Sequence, residues 1–231
     1  MNDQIKALKE ELNKNYDISE STLVIASEKF HLVSVADSYK LLDRITPEEF
    51  VKDEEMPYWA EIWPSSIHLS EFILKNLHLK NKRLIEIGAG IGLCGVAAAK
   101  MGASVLCTDY SNEALKFITL NGLLNQFTNR DTFDTTQLDW RWVQIEEKFD
   151  FLIAADVLYE RRNVLPIVTA LEKLLKPEGT AFIADPRRSM ANGFLELLHE
   201  NGFHFETLSG EFKTPTGNLT IDIFGIRKTN D

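Results

Sequence analysis

Glycines stand at positions 88, 90, 92 and 95 within the short run EIGAGIGLCG. Residues without a Cβ let the chain turn tightly and bring backbone N–H groups against a ligand, so this run reads as a loop that receives a nucleotide-like cofactor. Gly90, Gly92 and Gly95 also satisfy the G-x-G-x-x-G spacing of dinucleotide sites. Asp109 closes the next apolar run, SVLCTD, where a carboxylate accepts hydrogen bonds from both ribose hydroxyls. Equally, it is an acid placed just ahead of the helix NEALKF.

Glu86, two residues before the first glycine, discriminates between cofactors. A carboxylate there adds negative charge where a nicotinamide dehydrogenase must hold a pyrophosphate. A sulfonium cofactor has no phosphate, and it brings an ammonium that acidic and carbonyl groups can receive. The balance favours S-adenosyl-L-methionine (SAM) and methyl transfer over hydride transfer.

The elements that must position these residues follow from hydrophobic periodicity. Ile5, Leu8 and Leu12 recur at helical spacing near the N-terminus, and TLVIA and FHLVSVA flank SEK as a β-hairpin. The charged stretch DRITPEEFVKDEEM then reads as an exposed connection, so residues 1–56 form an N-terminal helix and β-hairpin appendage to a cofactor domain over 57–231. Beyond Trp59, apolar strands alternate with helices, the pattern of a parallel sheet covered on both faces. The strands are RLIEIG, SVLCTD, a third ending in DTTQLDW, FDFLIAADVLY and GTAFIADP. FHFETLSGEFK and LTIDIFGIRK, joined through TPTGN, close the chain as an antiparallel pair.

Composition narrows the function further. The chain has 231 residues, 44% hydrophobic and 26% charged, which is ordinary for a globular α/β protein. Its formal charge of −10 opposes general nucleic-acid binding. No run has the length of a membrane span, and the N-terminus lacks a signal-peptide core, so a cytoplasmic protein is expected. Cys94 and Cys107 lack metal-site spacing and read as small buried hydrophobes, and the five histidines form no ligand or nucleophile–base pattern, so no metal site is expected. A monomer is expected.

WAEIWPSS, LIEIGAGIGLCG, TDYSNEAL, LDW and AADVLYE, in that order over about residues 55 to 190, resemble the methyltransferase-16 family of seven-β-strand lysine methyltransferases. The resemblance implies a Rossmann-like seven-stranded sheet, mostly parallel with an antiparallel C-terminal strand. It also implies SAM as the cofactor and protein lysine as the acceptor, with a small amine as the alternative. A nicotinamide oxidoreductase or a non-catalytic binding module is the more distant alternative. Carried over by position, it assigns Trp63, Gly88, Ala89, Gly90, Asp109, Trp140 and Ala155 to the cofactor shell, to which the reading of the residues themselves adds Glu86 and Asp139. Trp140 would flank adenine, with neighbouring backbone groups or Asp139 at the ring's polar edge, although both Trp140 and Trp63 also suit core packing.

Asp156 and Tyr159 match the family's D-x-x-Y motif at the C-terminal end of the fourth parallel strand, where open α/β sheets bind ligands. There they take the catalytic roles: a carboxylate for a substrate ammonium, and a ring wall with a hydroxyl. Asp185, Arg187 and Arg188 of ADPRR fall on the same rim, either as solvated loop charges or as a grip on a substrate surface.

Overall fold

A computed structural model describes residues 2–42, 56–189, 191–215 and 217–229. The charged connection after the hairpin therefore lies, but for Met56, outside the described residues. Helix α1 (Asn2–Leu12) turns Leu12 fully inward, with Ile5 and Leu8 against the same core. Strands β1 (Ile18–Ile25) and β2 (Glu28–Val35) pair antiparallel through a tight turn at Ala26 and Ser27, whose φ values of 48° and 73° match the twist that two-residue hairpins require. A single turn of helix, α2 (Tyr39–Leu42), follows.

The central sheet has the strand order β5-β4-β3-β6-β7-β9-β8. Its parallel part comprises β3 (Arg83–Ile87), β4 (Ser104–Asp109), β5 (Phe133–Gln137), β6 (Phe149–Ala155) and β7 (Leu175–Asp185). The chain ends in the hairpin β8 (Phe203–Thr214) and β9 (Gly217–Lys228), and β9 inserts antiparallel between β7 and β8. This is the mostly parallel seven-stranded sheet with an antiparallel C-terminal strand that the sequence implied.

Side chains alternate across each strand, so the two faces have separate cores. Leu84, Val105 and Ile153 face α3 (Pro64–Asn76), α4 (Leu93–Lys100) and α5 (Asn112–Leu124), while Ile85, Ile87 and Leu152 face α6 (Arg161–Leu174) and α7 (Ala191–Glu200). The N-terminal hairpin lies on α5, burying Phe30, Leu32 and Val33 in the first of these cores. Two buried asparagines, Asn121 in α5 and Asn125 at its C-terminal cap, satisfy the hairpin's inner edge: Asn125 bonds the backbone of His31, and Asn121 that of Val33.

Several boundaries differ from the sequence reading: β6 ends at Ala155, so DVLY leaves the sheet, and β7 begins at Leu175, ahead of GTAFIADP. β5 stops at Gln137, and LDW leaves the sheet. The Asp139 carboxylate accepts the Arg141 N–H at 2.9 Å and caps a 3-10 turn over Trp140–Trp142. A local cap thus overrides the strand-like alternation of WRW. Cys94 and Cys107 are buried free thiols.

Candidate active site

The glycine loop follows β3 because no other residue suits its backbone. Gly88, Gly90 and Gly92 have φ of 62°, 58° and 82°. A Cβ on Gly88 would lie 2.9 Å from the Trp140 ring, and one on Gly90 would lie 3.2 Å from the Trp59 carbonyl oxygen. Trp59 is itself clamped between Tyr16 and Phe117, with ring centroids at 5.7 and 5.4 Å. The loop is therefore closed down by the segment that precedes α3.

Strand alternation turns Glu86 toward α4, where its Oε2 accepts the Gly95 N–H at 2.8 Å and meets the Cys107 thiol. Gly95 has no room for a side chain, since a Cβ would stand 2.2 Å from Cys107 Sγ. Burial pushes Glu86 up to about 8, outweighing the lowering by its Cys107 and Gly95 hydrogen bonds. This corrects the charge argument made from sequence: at pH 7 the carboxyl is largely protonated, because among the described residues no cation pairs with it in the interior. It lines the cleft as a polar, mainly neutral group.

Asp109 closes the loop from the other side. Its Oδ2 accepts the Gly90 N–H at 2.8 Å and its Oδ1 the Ser111 N–H at 2.9 Å. Burial raises it to about 6, against the lowering effect of those hydrogen bonds, so it is mostly ionised at pH 7 and retains acceptor capacity. The cap of α5 is Ser111, not Asp109. Across the cleft the Trp140 indole N–H reaches Asn163 Oδ1 at 3.4 Å, which fixes the ring over Gly88. Asp139 is held below its usual range: burial acts to raise it, and the hydrogen bonds and charge of Arg141 prevail.

The other wall comes from the end of β6. Asp156 is 7% exposed and takes an unusual φ of 61°, its N–H donating to the Ala184 carbonyl at 2.9 Å. Ser65, in the first turn of α3, donates to Asp156 Oδ2 at 2.9 Å, and Arg188 Nε donates to Oδ1 at 2.7 Å. Trp63 precedes Pro64 at the start of α3, and its indole N–H donates to the Tyr58 carbonyl at 2.9 Å. Tyr58 meets the Tyr159 ring edge-on at 5.1 Å. Burial pushes the Tyr159 phenol up to about 12, so it remains a neutral hydroxyl.

These residues surround one cleft of about 420 Å³ at the C-terminal ends of β3, β4 and β6. Trp63, Glu86, Gly88, Ala89, Gly90, Asp109, Asp139, Trp140, Ala155, Asp156 and Tyr159 all line it. Its chemistry fits a nucleoside bearing a cationic amino-acid tail: an aromatic face, an ionised carboxylate, a glycine cradle and polar backbone. The site also contains what sequence reasoning did not single out. Ser65, Tyr58 and Asn163 brace Asp156, Tyr159 and Trp140 respectively, and the serine of WPSS and the aromatic of MPYW were the visible signals. Arg187 of ADPRR is engaged by Asp222 at 3.0 Å, and only Arg188 turns to the cleft wall.

A family model described as lysine methyltransferase matches residues 50–201. The protein N-lysine methyltransferase METTL21A of Danio rerio is 32% identical over 120 residues, covering 50% of this chain and 55% of its own. The electron transfer flavoprotein beta subunit lysine methyltransferase of Rattus norvegicus is 31% identical over 140 residues, covering 59% and 53%. The chain thus spans little more than half the length of these curated relatives. Among solved structures, the magnesium protoporphyrin IX methyltransferase of Synechocystis with bound SAM superposes with a TM-score of 0.59 at 16% identity, covering 84% of this chain and 92% of its own. The ribosomal protein L11 methylase of Lactobacillus delbrueckii gives 0.56 at 21% identity, covering 71% and 79%. At such identities these two structures speak for the fold.

Proposed function

Because this chain belongs to the lysine methyltransferase family, we propose that it is a SAM-dependent N-methyltransferase acting on lysine side chains of a protein. One observation supports this above the others: the glycine floor with Asp109 and Trp140, and the wall of Asp156 and Tyr159, line a single cleft. A cofactor and an acceptor amine can therefore meet in one volume. The relatives named above are methyltransferases of protein lysines, which favours a protein over a small amine.

In this reading Trp140 flanks the adenine, Asp109 receives the ribose hydroxyls, and the loop from Glu86 to Gly90 receives the amino-acid end. When bound, SAM supplies a methyl group on a sulfonium, already activated for in-line displacement. The protein's task is alignment and exclusion of water. Tyr159, Tyr58 and Trp63 wall the approach with aromatic surface around an aliphatic lysine stem. A lysine of pKa near 10.4 is almost wholly protonated at pH 7, about 4 to 5 kcal/mol away from its reactive form. Asp156 orients the amine, and the amine's proton leaves to water.

The test is incubation of the purified protein with SAM labelled in its methyl group and an undermethylated proteome, followed by mass spectrometry of what becomes labelled. Methyl groups on lysine Nζ of a discrete protein are expected. Label only on small amines would move the acceptor class, and no label at all would remove the activity.

A further inference from the structure

Asp156 does not face the cleft as an unaccompanied anion. Arg188 Nε stands 2.7 Å from its Oδ1, and a guanidinium Nη contacts the same oxygen. The guanidinium carbon also lies 5.9 Å from the centre of the Trp63 ring, and Ser65 holds Oδ2 at 2.9 Å. Three elements thus fix one ion pair: the start of α3, the end of β6 and the loop after β7. The pairing removes a difficulty in the chemistry, because a bare carboxylate beside lysine would stabilise the unreactive ammonium.

We propose that Arg188 is a positioning residue that cancels the charge of Asp156, so that the acceptor amine docks against Asp156 as a neutral nucleophile. This rests on the lysine methyltransfer reading above. The ammonium proton passes to water as the amine leaves solvent. The nitrogen lone pair then forms the N–C bond while the S–C bond breaks, its electrons staying on sulfur as a neutral thioether. The new methylammonium keeps its charge on release to water, so one proton is lost per transfer.

The other charges around Asp156 are paired among themselves except Asp185. From the segment after β6, Glu160 pairs with Arg162 at 2.6 Å, and Tyr159 stays neutral. From α3, Trp63 and Ser65 bring no charge, and Tyr58 faces Tyr159. From the end of β7, Asp185 is buried behind Arg188, whose N–H it accepts at 2.7 Å; burial raises it to about 6, with the charge of Asp156 adding to the rise. Arg187 is neutralised by Asp222. Asp185, like Asp109, is mostly ionised at pH 7 and stands behind the pair, so Arg188 is the cation that offsets the charge of Asp156 toward the cleft.

The experiment measures kcat against pH, at saturating acceptor, for wild type, R188K, R188Q, D156N and the double variant R188Q/D156N. The acceptor is the protein isolated from the proteome labelling described above. A neighbouring charge typically moves a pKa by about 1 to 3 units. R188Q is therefore expected to raise the pH of half-maximal kcat by about 1 unit or more, a loss of about tenfold at pH 7 that alkaline pH restores. R188K keeps the wild-type profile, D156N moves it toward acid, and the double variant returns it. A second readout without turnover is the NMR titration of the 13C-methylated acceptor lysine in complex with S-adenosylhomocysteine, which should show the same displacements. An R188Q loss equal at every pH, with an unmoved amine titration, would make Arg188 a brace for the fold and overturn the inference alone. Absence of label with wild type would overturn the functional reading and this inference together.

Discussion

Asn121, in the middle of α5, grips both backbone groups of Val33 in the N-terminal hairpin: its Oδ1 accepts the Val33 N–H at 2.7 Å and its Nδ2 donates to the Val33 carbonyl at 3.1 Å. The same Nδ2 donates to the Ile91 carbonyl of the glycine loop at 2.9 Å. One fully buried amide therefore ties the N-terminal hairpin to the glycine loop. Asn121→Ala leaves these backbone groups buried without partners, each worth about 1–3 kcal/mol. A stability loss of about 3 kcal/mol in urea unfolding is expected. Weaker S-adenosylhomocysteine binding should accompany it, because Ile91 is released. An unchanged unfolding midpoint would show that the hairpin is held by apolar packing alone.

Gly88→Ala places a methyl 2.9 Å from the Trp140 ring and 3.0 Å from Val157, at a φ of 62° that alanine tolerates poorly. The strain is of the order of 1–3 kcal/mol. The folded protein should persist with a lowered melting temperature and at least tenfold weaker cofactor binding by calorimetry. Wild-type affinity would mean the ligand does not rest on this loop.

Burial raises Glu86 to about 8, so the folded protein keeps a proton that the unfolded chain has already released. That contribution is fully present below the ordinary carboxylate range and is lost as pH rises through about 8. Between pH 6 and pH 8 the cofactor-free protein should lose about 2 kcal/mol of stability from this group. Asp109 and Asp185, both raised to about 6, lose most of their share at lower pH. Unfolding free energies of wild type and Glu86→Gln across this window provide the check. The glutamine variant should be nearly flat, and parallel curves would contradict the assignment.

Trp140→Ala removes the aromatic face opposite Gly88. Stacking of a base on an aromatic side chain is worth about 1–3 kcal/mol. S-Adenosylhomocysteine affinity should fall about tenfold or more, while Tyr159→Ala, which alters the opposite wall, should leave that affinity within about threefold and reduce transfer to the acceptor. Equal losses for both variants would mean that the cleft is not divided into a cofactor side and an acceptor side.

The sheet was legible because its strands are short apolar runs, such as SVLCTD and GTAFIADP, punctuated by glycine and acidic turns. LDW was misplaced in a strand because a cap depends on the orientation of Asp139, and alternation in WRW imitates a strand. Glycine spacing marked the tight loop after β3, yet the charge assigned to Glu86 did not survive burial, which spacing cannot report. The Arg188 contact to Asp156 spans 32 residues and depends on β6 and β7 lying side by side, a relation present only in the folded sheet. Likewise, the contact of Asn121 with Val33 spans 88 residues and exists only once the hairpin packs on α5.

The most direct test of the account is calorimetric titration of the purified protein with S-adenosylhomocysteine and, separately, with NAD. The account expects saturable one-site binding of S-adenosylhomocysteine, weakened in the Gly88→Ala and Trp140→Ala variants, and no heat of binding with NAD. Binding of NAD, with no uptake of S-adenosylhomocysteine, would contradict it.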